Sequence, residues 1–400
     1  LVVCVGISIF LWKGILLIHP HYNDILHGFT YNGYEYIAAF SLLNIWLLFK
    51  IYKPFFKKYT GADLVVAPLI FWLIINVLIF IYLKGAAYFI IPVYFALLTL
   101  GIFIFIESKR TIKIVVSTVL AIPIIFIFTP QIKMFPVGLG LKNLFISGLF
   151  LVLIFGLMTP IFATYKSRKT LVKMIGITTV FFFAFATYNS GFDEDNKKPN
   201  SAVFIADLDS NQSYWATYDS KVDAYTKQFF GDNPTKGNFT GSTSKSKYNT
   251  SYKFHKKTEN RAVNPPIIST VIDTIIGNNR NVSLLIKPQR NVNKFELIAN
   301  APITFNEIGV QNITLDKKKI SNTFKVKKGT ILSYFMAAND SILKVDFTFN
   351  SNTNPNISLI ESSFDLQTNS LFDIKPRTKE MMPMPFVSND AIITIQKLKL

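Results

Sequence analysis

The sequence predicts a multipass α-helical membrane bundle of about seven spans, followed by a mainly-β, sandwich-like domain on the extracytosolic side. Three observations predict it: seven apolar stretches end at Tyr188, the remainder is polar and cysteine-free, and basic residues of the first part are confined to alternate loops. The corresponding boundaries are residues 1–188 for the helical domain, 189–200 for a linker, and 201–400 for the β-rich domain with a polar loop near 235–260.

A hydrocarbon core about 30 Å thick requires about 20 apolar residues in a helix. Stretches of that kind are Leu1–Ile18, Tyr36–Phe49, Leu64–Leu83, Ala86–Ile106, Val115–Thr129, Leu139–Pro160 and Leu171–Tyr188. The second is short and can extend into Gly33 to Glu35 or into Ile51 and Tyr52.

A net charge of +18 invites a nucleic-acid reading, but fifteen of the 42 basic residues precede Asn189 against four acidic ones. Lys50, Lys53, Lys57 and Lys58 follow the second span; Lys109, Arg110 and Lys113 follow the fourth; Lys166, Arg168, Lys169 and Lys173 follow the sixth. The alternate loops hold only Lys84, Lys133 and Lys142. By the positive-inside rule the basic loops are cytoplasmic, which places residues 189–400 outside. The charge is therefore read as membrane topology, and nucleic acid is not an expected partner.

Cys4 lies in an apolar stretch, so the outer domain has no cysteine for a disulfide, which argues against an oxidising eukaryotic lumen. Seven N-x-S/T triplets begin at Asn211, Asn238, Asn249, Asn281, Asn312, Asn339 and Asn356. As glycan acceptors they would indicate a secretory pathway. Chance occurrence in an Asn-, Lys-, Ile- and Phe-rich chain is the preferred reading, and a bacterial, AT-rich origin fits, with the outer domain on the periplasmic side of the inner membrane. Because Leu1 stands inside a span, the chain is expected to be a fragment.

Transporters carry ionisable groups inside the bilayer, where each costs about 2.5–3.5 kcal/mol on insertion scales. These spans are nearly empty of them: Lys13 can snorkel, and Lys142 and Lys173 lie near span ends. Asn44, Asn76 and Ser117 are candidates for hydrogen bonds between helices, and Pro68, Pro92 and Pro123 for kinks. The first outer loop gathers His19, His21, Asp24 and His27, residue types that suit zinc. Pro20 breaks any helical register among them, so the alternative is an interfacial loop with Tyr22, Phe29, Tyr31, Tyr34 and Tyr36 as an aromatic belt.

In the outer domain, Asn189–Asn200 reads as a linker, Ser201–Leu208 and Ser213–Tyr218 as strands, and Ser220–Phe230 as a helix ended by Gly231. Residues Thr235–Asn260 read as a long exposed loop. Beyond Pro265-Pro266 the apolar period becomes two, as at Phe295, Leu297 and Ala299 and at Leu343, Val345, Phe347 and Phe349, giving half-buried antiparallel strands. Further strands are Ile267–Ile276, Val282–Lys287, Ile303–Val310, Phe324–Val326, Ile331–Phe335, Ile357–Ile360 and Ala391–Gln396. Their spacing suggests a sandwich.

The outer domain shows no H-E-x-x-H, G-x-S-x-G, Walker loop or G-x-G-x-x-G after a strand, and its one histidine is His255. Asp193, Glu194 and Asp195 are read as a solvated linker rather than a cation site. Tyr214-Trp215 and Met381–Phe386 are either docking surfaces or core. No catalytic, cofactor-binding or metal-binding residue is assigned.

The segments Ser213-Tyr214-Trp215-Ala216-Thr217-Tyr218-Asp219 and Met382-Pro383-Met384-Pro385-Phe386, with the spans before them, resemble bacterial transmembrane zinc metallopeptidases. These are similar to the Fxna-type metallopeptidases of the endoplasmic reticulum. The resemblance implies an upstream extracytosolic aminopeptidase-like domain, with two zinc ions that activate a water and a Glu as general base. It further implies that the β-domain docks on the peptidase domain and that peptides are the substrates. None of the ligand motifs occurs in this chain, so zinc is implied only for the missing domain. The expected function is the membrane-anchoring and accessory region of a zinc exopeptidase. The alternative is a non-enzymatic membrane protein whose β-domain binds a partner or glycan through Tyr214 and Trp215.

Overall fold

A computed structural model describes residues 1–107, 109–237, 248, 250–311, 313–314, 324–337 and 342–400. The chain divides into two compact units, Leu1–Gly191 and Phe192–Leu400.

The first unit is helical: α1 Val2–Ile18, α2 Gly33–Tyr52, α3 Phe55–Lys58, α4 Gly61–Tyr82, α5 Ile90–Phe105, α6 Arg110–Leu139, α7 Leu144–Leu157, α8 Thr159–Thr164 and α9 Arg168–Tyr188. Among the described residues, five stretches are long and apolar enough to cross a membrane: Gly33–Tyr52, Gly61–Tyr82, Lys84–Phe105, Arg110–Leu139 and Arg168–Tyr188. Val2–Ile18 and Leu141–Leu157 are apolar but shorter. Helix α2 takes up both of the extensions open to its short apolar stretch. Helix α6 runs to 30 residues, with Pro123, Pro130 and Pro136 inside it, so Arg110, Lys113 and Lys133 sit on a helix rather than in loops. The stretch expected as one span from Leu139 to Pro160 is interrupted, because α7 ends at Leu157 and α8 starts at Thr159.

Helix α4 starts where Thr60 accepts from the Asp63 amide at 3.3 Å while Asp63 accepts from the Thr60 amide at 2.9 Å, a reciprocal cap. Its first turn comes close to α8: a Cβ added to Gly61 would lie 2.8 Å from the Pro160 backbone, so only glycine fits. The interior of the unit is aromatic. Trp72 packs against Phe89 and Phe128 and donates from Nε1 to the Leu153 carbonyl at 3.1 Å. The outward positions are apolar too, with Phe80 76% and Phe126 78% exposed. A helix that is hydrophobic all round belongs in a hydrophobic surrounding.

The second unit is mainly β. Its first half has β1 Lys198–Asn200, β2 Val203–Asp207, β3 Gln212–Thr217, α10 Lys227–Phe230, β4 Thr235–Lys236, β5 Phe254–Thr258, β6 Ile267–Ile276, β7 Asn279–Lys287 and β8 Lys294–Ala299. The second half has β9 Ile303–Val310, β10 Ile313–Thr314, β11 Phe324–Val326, β12 Gly329–Phe335, β13 Leu343–Asn350, β14 Ile357–Ser363, β15 Met381–Pro383 and β16 Ala391–Lys397. One sheet runs β12-β8-β14-β16-β2-β3-β5-β4, another β10-β9-β13-β7-β6 with β11 also on β9, and β1 pairs with β15. One apolar cluster draws on both large sheets, including Phe295, Leu297 and Leu359 from the first and Phe305, Phe347 and Phe349 from the second. Each such side chain contributes about 1.5–3 kcal/mol on burial.

The pairs β2–β16 and β1–β15 are parallel and join strands far apart in sequence, with no hairpin between them. Three expectations are corrected. Strands β8 and β14 are buried on both faces rather than half-buried, Glu296 and Ser358 included, so side chains cover this part of the sheet from both sides. The helix expected over Ser220–Phe230 shrinks to Lys227–Phe230, because Asp223 Oδ1 accepts from the Thr226 amide at 2.9 Å and holds a turn instead. The polar loop near 235–260 contains β4 and β5, and its residues 238–247 and 249 lie outside the described residues.

Candidate functional site

The histidine-rich loop follows α1. Pro20 opens a 3₁₀ turn, Pro20–Asp24, as its fixed φ favours, and brings three rings together. The centroids of His19 and His21 each lie close to Tyr22, at 5.2 and 4.8 Å. Burial, and the nearby His21, hold the His19 imidazole below its ordinary pKa. Tyr22 stacks parallel to Trp12, and its hydroxyl lies 3.3 Å from the Tyr36 hydroxyl. His21 Nε2 reaches the Ser190 carbonyl oxygen at 2.7 Å, whereas the His27 ring lies 6.5 Å from that of Phe29 at an angle of 68°. His19 and His21 thus share Tyr22 as a neighbour, while His27 lies beside Phe29.

Among the described residues no group of three or more His, Cys, Asp or Glu could hold a metal ion. His19, His21, Asp24 and His27 therefore do not form the zinc site considered for this loop, and no zinc-dependent step is assigned to them. The aromatic-belt reading is corrected in part: Tyr31 and Tyr34 are exposed, but Tyr22 and Tyr36 are buried in a cluster with Trp12, Phe40 and Ala186. The loop is a clasp. Asn32 donates to Tyr22 and to the Ala186 carbonyl, which fastens the loop to the end of α9.

A second feature of the helical unit lies where α2, α3 and α9 meet. A cavity of about 240 Å³ is lined by Lys50, Lys53, Lys57, Arg168 and Lys169, with Phe49, Phe56 and Val172 as its apolar wall. The Arg168 guanidinium stacks over Phe56 at 4.9 Å, and Lys50 over Trp46 at 5.0 Å. A groove sharing Lys50, Lys169 and Val172 continues from it between α2 and α9 past Trp46, Lys173, Ile177 and Val180. No carboxylate lines either space. Ion pairs such as Lys198–Asp223, Arg290–Glu361 and Arg377–Asp390 lie in the β unit. The sequence shows these cations only as a topology signal; their convergence depends on a contact between α2 and α9.

In the β unit the buried charges hold the fold. Arg377 grips Asp390 with both terminal nitrogens at 2.7 Å, stacks over Tyr225 at 4.3 Å, and reaches Asn200. Arg290 binds Glu361 Oε2 at 3.1 Å, Ser363 and the Ile392 carbonyl, tying the loop before β8 to β14 and β16. Each set joins residues far apart in sequence, so no local motif announces it.

The two docking candidates are partly packed and partly exposed: Pro383, Pro385 and Phe386 stay on the surface. Trp215 lies among Phe204, Phe229 and Phe372, and Met384 is buried, although Phe386 is 45% exposed. Tyr214 is half-buried. In the acidic run, Asp193 Oδ1 accepts from the amides of Asp195 and Asn196 at 2.9 and 2.6 Å, a self-contained turn. Of the glycosylation triplets, Asn281 accepts from Thr348 inside its sheet, whereas Asn238, Asn249, Asn312 and Asn339 lie outside the described residues. Neither protein-family models nor curated proteins yield a match to this chain.

Proposed function

We propose that residues 1–400 form the membrane anchor and accessory β module of a zinc-dependent exopeptidase whose catalytic domain lies upstream. The observation that carries the anchor is the apolar outer surface of five span-length helices, which in water would be a very large exposed hydrophobic patch. Helix α1, with 17 residues, and the shorter α7 complete seven crossings. A 17-residue helix spans about 25 Å, and local thinning of the bilayer absorbs the difference. The basic loops then lie on the cytoplasmic side and the β unit, read as a two-sheet sandwich, on the extracytosolic side.

The exopeptidase reading rests on the resemblance of the segments 213–219 and 382–386. Its test is the aminopeptidase activity of the natural full-length product before and after chelation. Chelator-sensitive activity that is absent from residues 1–400 alone supports the reading, and a full-length product without such activity refutes it. The rival reading, in which the β unit binds a partner or glycan, keeps the half-buried Tyr214 as its contact residue, while the Trp215 ring packs against three phenylalanines.

A further inference from the structure

We propose that the cavity between α2, α3 and α9, with the groove that continues from it, binds one anionic phospholipid. Five cations converge on a space of about 240 Å³ with no carboxylate among its lining residues. Such a cluster repels itself unless an anion sits within it, and a phosphate diester offers the oxygens that Lys and Arg bind best. The adjoining groove is walled by Leu43, Trp46, Val172, Ile177 and Val180, side chains that match an acyl chain and not a free anion. Charge at the mouth and hydrocarbon along the groove are the two halves of one amphiphile. The proposal rests on the membrane reading above.

The purified chain in neutral detergent is titrated with dioctanoyl-phosphatidylglycerol, dioctanoyl-phosphatidylcholine and inorganic phosphate. The glycerol lipid is expected to bind well above the choline lipid, and Lys53→Ala and Lys169→Ala each weaken it about fivefold. Val180→Trp, which fills the groove, weakens the lipid and leaves phosphate unaffected. Equal binding of both lipids, or binding that ignores the lysine variants, overturns the proposal. Phosphate binding as tight as the lipid's, with Val180→Trp silent on both, assigns the site to a free anion and also overturns it. None of these outcomes depends on peptidase activity.

A separate observation supports a second proposal: we infer that β6 pairs with β6 of a second copy of this chain. The strand is ten residues long, forms an edge of its sheet, has no Lys, Arg or Pro, and leaves Ile275 64% and Ile276 69% exposed. Apart from the charge of Asp273 and the bulge after Thr270, it lacks the features that blunt or cover such edges. Its sequence, Ile-Ile-Ser-Thr-Val-Ile-Asp-Thr-Ile-Ile, reads alike in character from either end. Antiparallel self-pairing sets Ile267 opposite Ile276, Ile268 opposite Ile275, Ser269 opposite Thr274 and Thr270 opposite Asp273.

Paired residues must lie on the same face, and in a regular strand these pairs would not, because odd numbers would meet even ones. The bulge at Val271 removes the conflict. Opposite β7, Ile268 and Thr270 pair with Ile286 and Leu284, and after the bulge Asp273 and Ile275 pair with Val282 and Arg280. Residues 268, 270, 273 and 275 therefore share one face, and 267, 269, 272, 274 and 276 share the other. Each of these four pairs then matches, as a two-fold, isologous contact requires.

In a Cys4→Ser background, chains with Ser269→Cys are mixed with chains with Thr274→Cys and oxidised. Disulfide-linked dimers are expected from the mixture and not from either variant alone. Light scattering of the detergent-solubilised chain is expected to give a dimer, and a monomer for Ile272→Lys. Cross-links that form as readily within one variant as in the mixture overturn the inference, and so does a monomeric unsubstituted chain.

Discussion

The side-chain amide of Asn32 donates to the carbonyl oxygen of Ala186 at 2.6 Å, joining positions 154 residues apart. That carbonyl belongs to the last turn of α9, where helix carbonyls have no amide partner four residues on. Asn32 also donates to Tyr22 at 2.8 Å and accepts from Thr30 at 2.7 Å. Asn32→Leu strands these buried groups and is expected to cost about 1–3 kcal/mol of stability. Unfolding in detergent micelles measures it, and an unchanged midpoint means that the clasp does not hold the loop.

The same geometry forecasts the behaviour of the histidine loop toward metal. Equilibrium dialysis against zinc, read by elemental analysis, is expected to give the same zinc content for the unsubstituted chain and for His21→Ala. The substitution lowers thermal stability by removing the contact with Ser190. Zinc bound stoichiometrically and lost on His21→Ala contradicts the structure.

Arg377→Met leaves the half-buried Asp390 carboxylate with only a long contact from the Gln367 amide, at 3.4 Å. Because the pair is not fully buried, the cost is expected at or below the lower end of the ~3–5 kcal/mol for breaking a buried pair. Adding Asp390→Asn, which keeps a residue tolerant of the positive φ of 50° at that position, is expected to restore part of the loss. The denaturant midpoints of the two variants decide it, and equal midpoints would mean that the charge itself is not the cause.

Two carboxylates give the β unit opposite pH responses. Burial raises Glu361 above its ordinary 4.5, outweighing the pull of Arg290 and Thr394. The folded state holds that proton more tightly, so the contribution is full below pH 4.5 and is lost as pH rises through the raised value. Asp223 behaves in reverse. Burial raises it, but the Thr226 amide and Lys198 together bring it below its ordinary 3.8, so its contribution is full above 3.8 and is lost as pH falls through the lowered value. In urea titrations across pH, Glu361→Gln is expected to flatten the loss on the alkaline side and Asp223→Asn the loss on the acid side. Unchanged slopes count against both assignments.

Helices and strands with strong local patterns were legible. The alternation at Leu343, Val345, Phe347 and Phe349 appears as β13, with all four side chains buried. Span ends were less legible, because Arg110 and Lys113 continue α6 beyond its apolar stretch. Pairings between distant strands, such as β2 with β16, leave no local trace. The cations around the α2 and α9 cavity were visible singly, but their convergence is a tertiary property. The same holds for Arg377, Asn200 and Asp390, which only the folded chain brings together.

The central claim is that the basic loops and the β unit lie on opposite sides of a membrane. Cys4 is buried, so a Cys4→Ser background isolates single cysteines introduced at Lys57 and at Asn211. With a membrane-impermeant maleimide on cells whose inner membrane is intact and accessible, the cysteine at position 211 is predicted to react at once and that at position 57 only after lysis. Labelling of position 57 on intact membranes, or protection of position 211, contradicts the account.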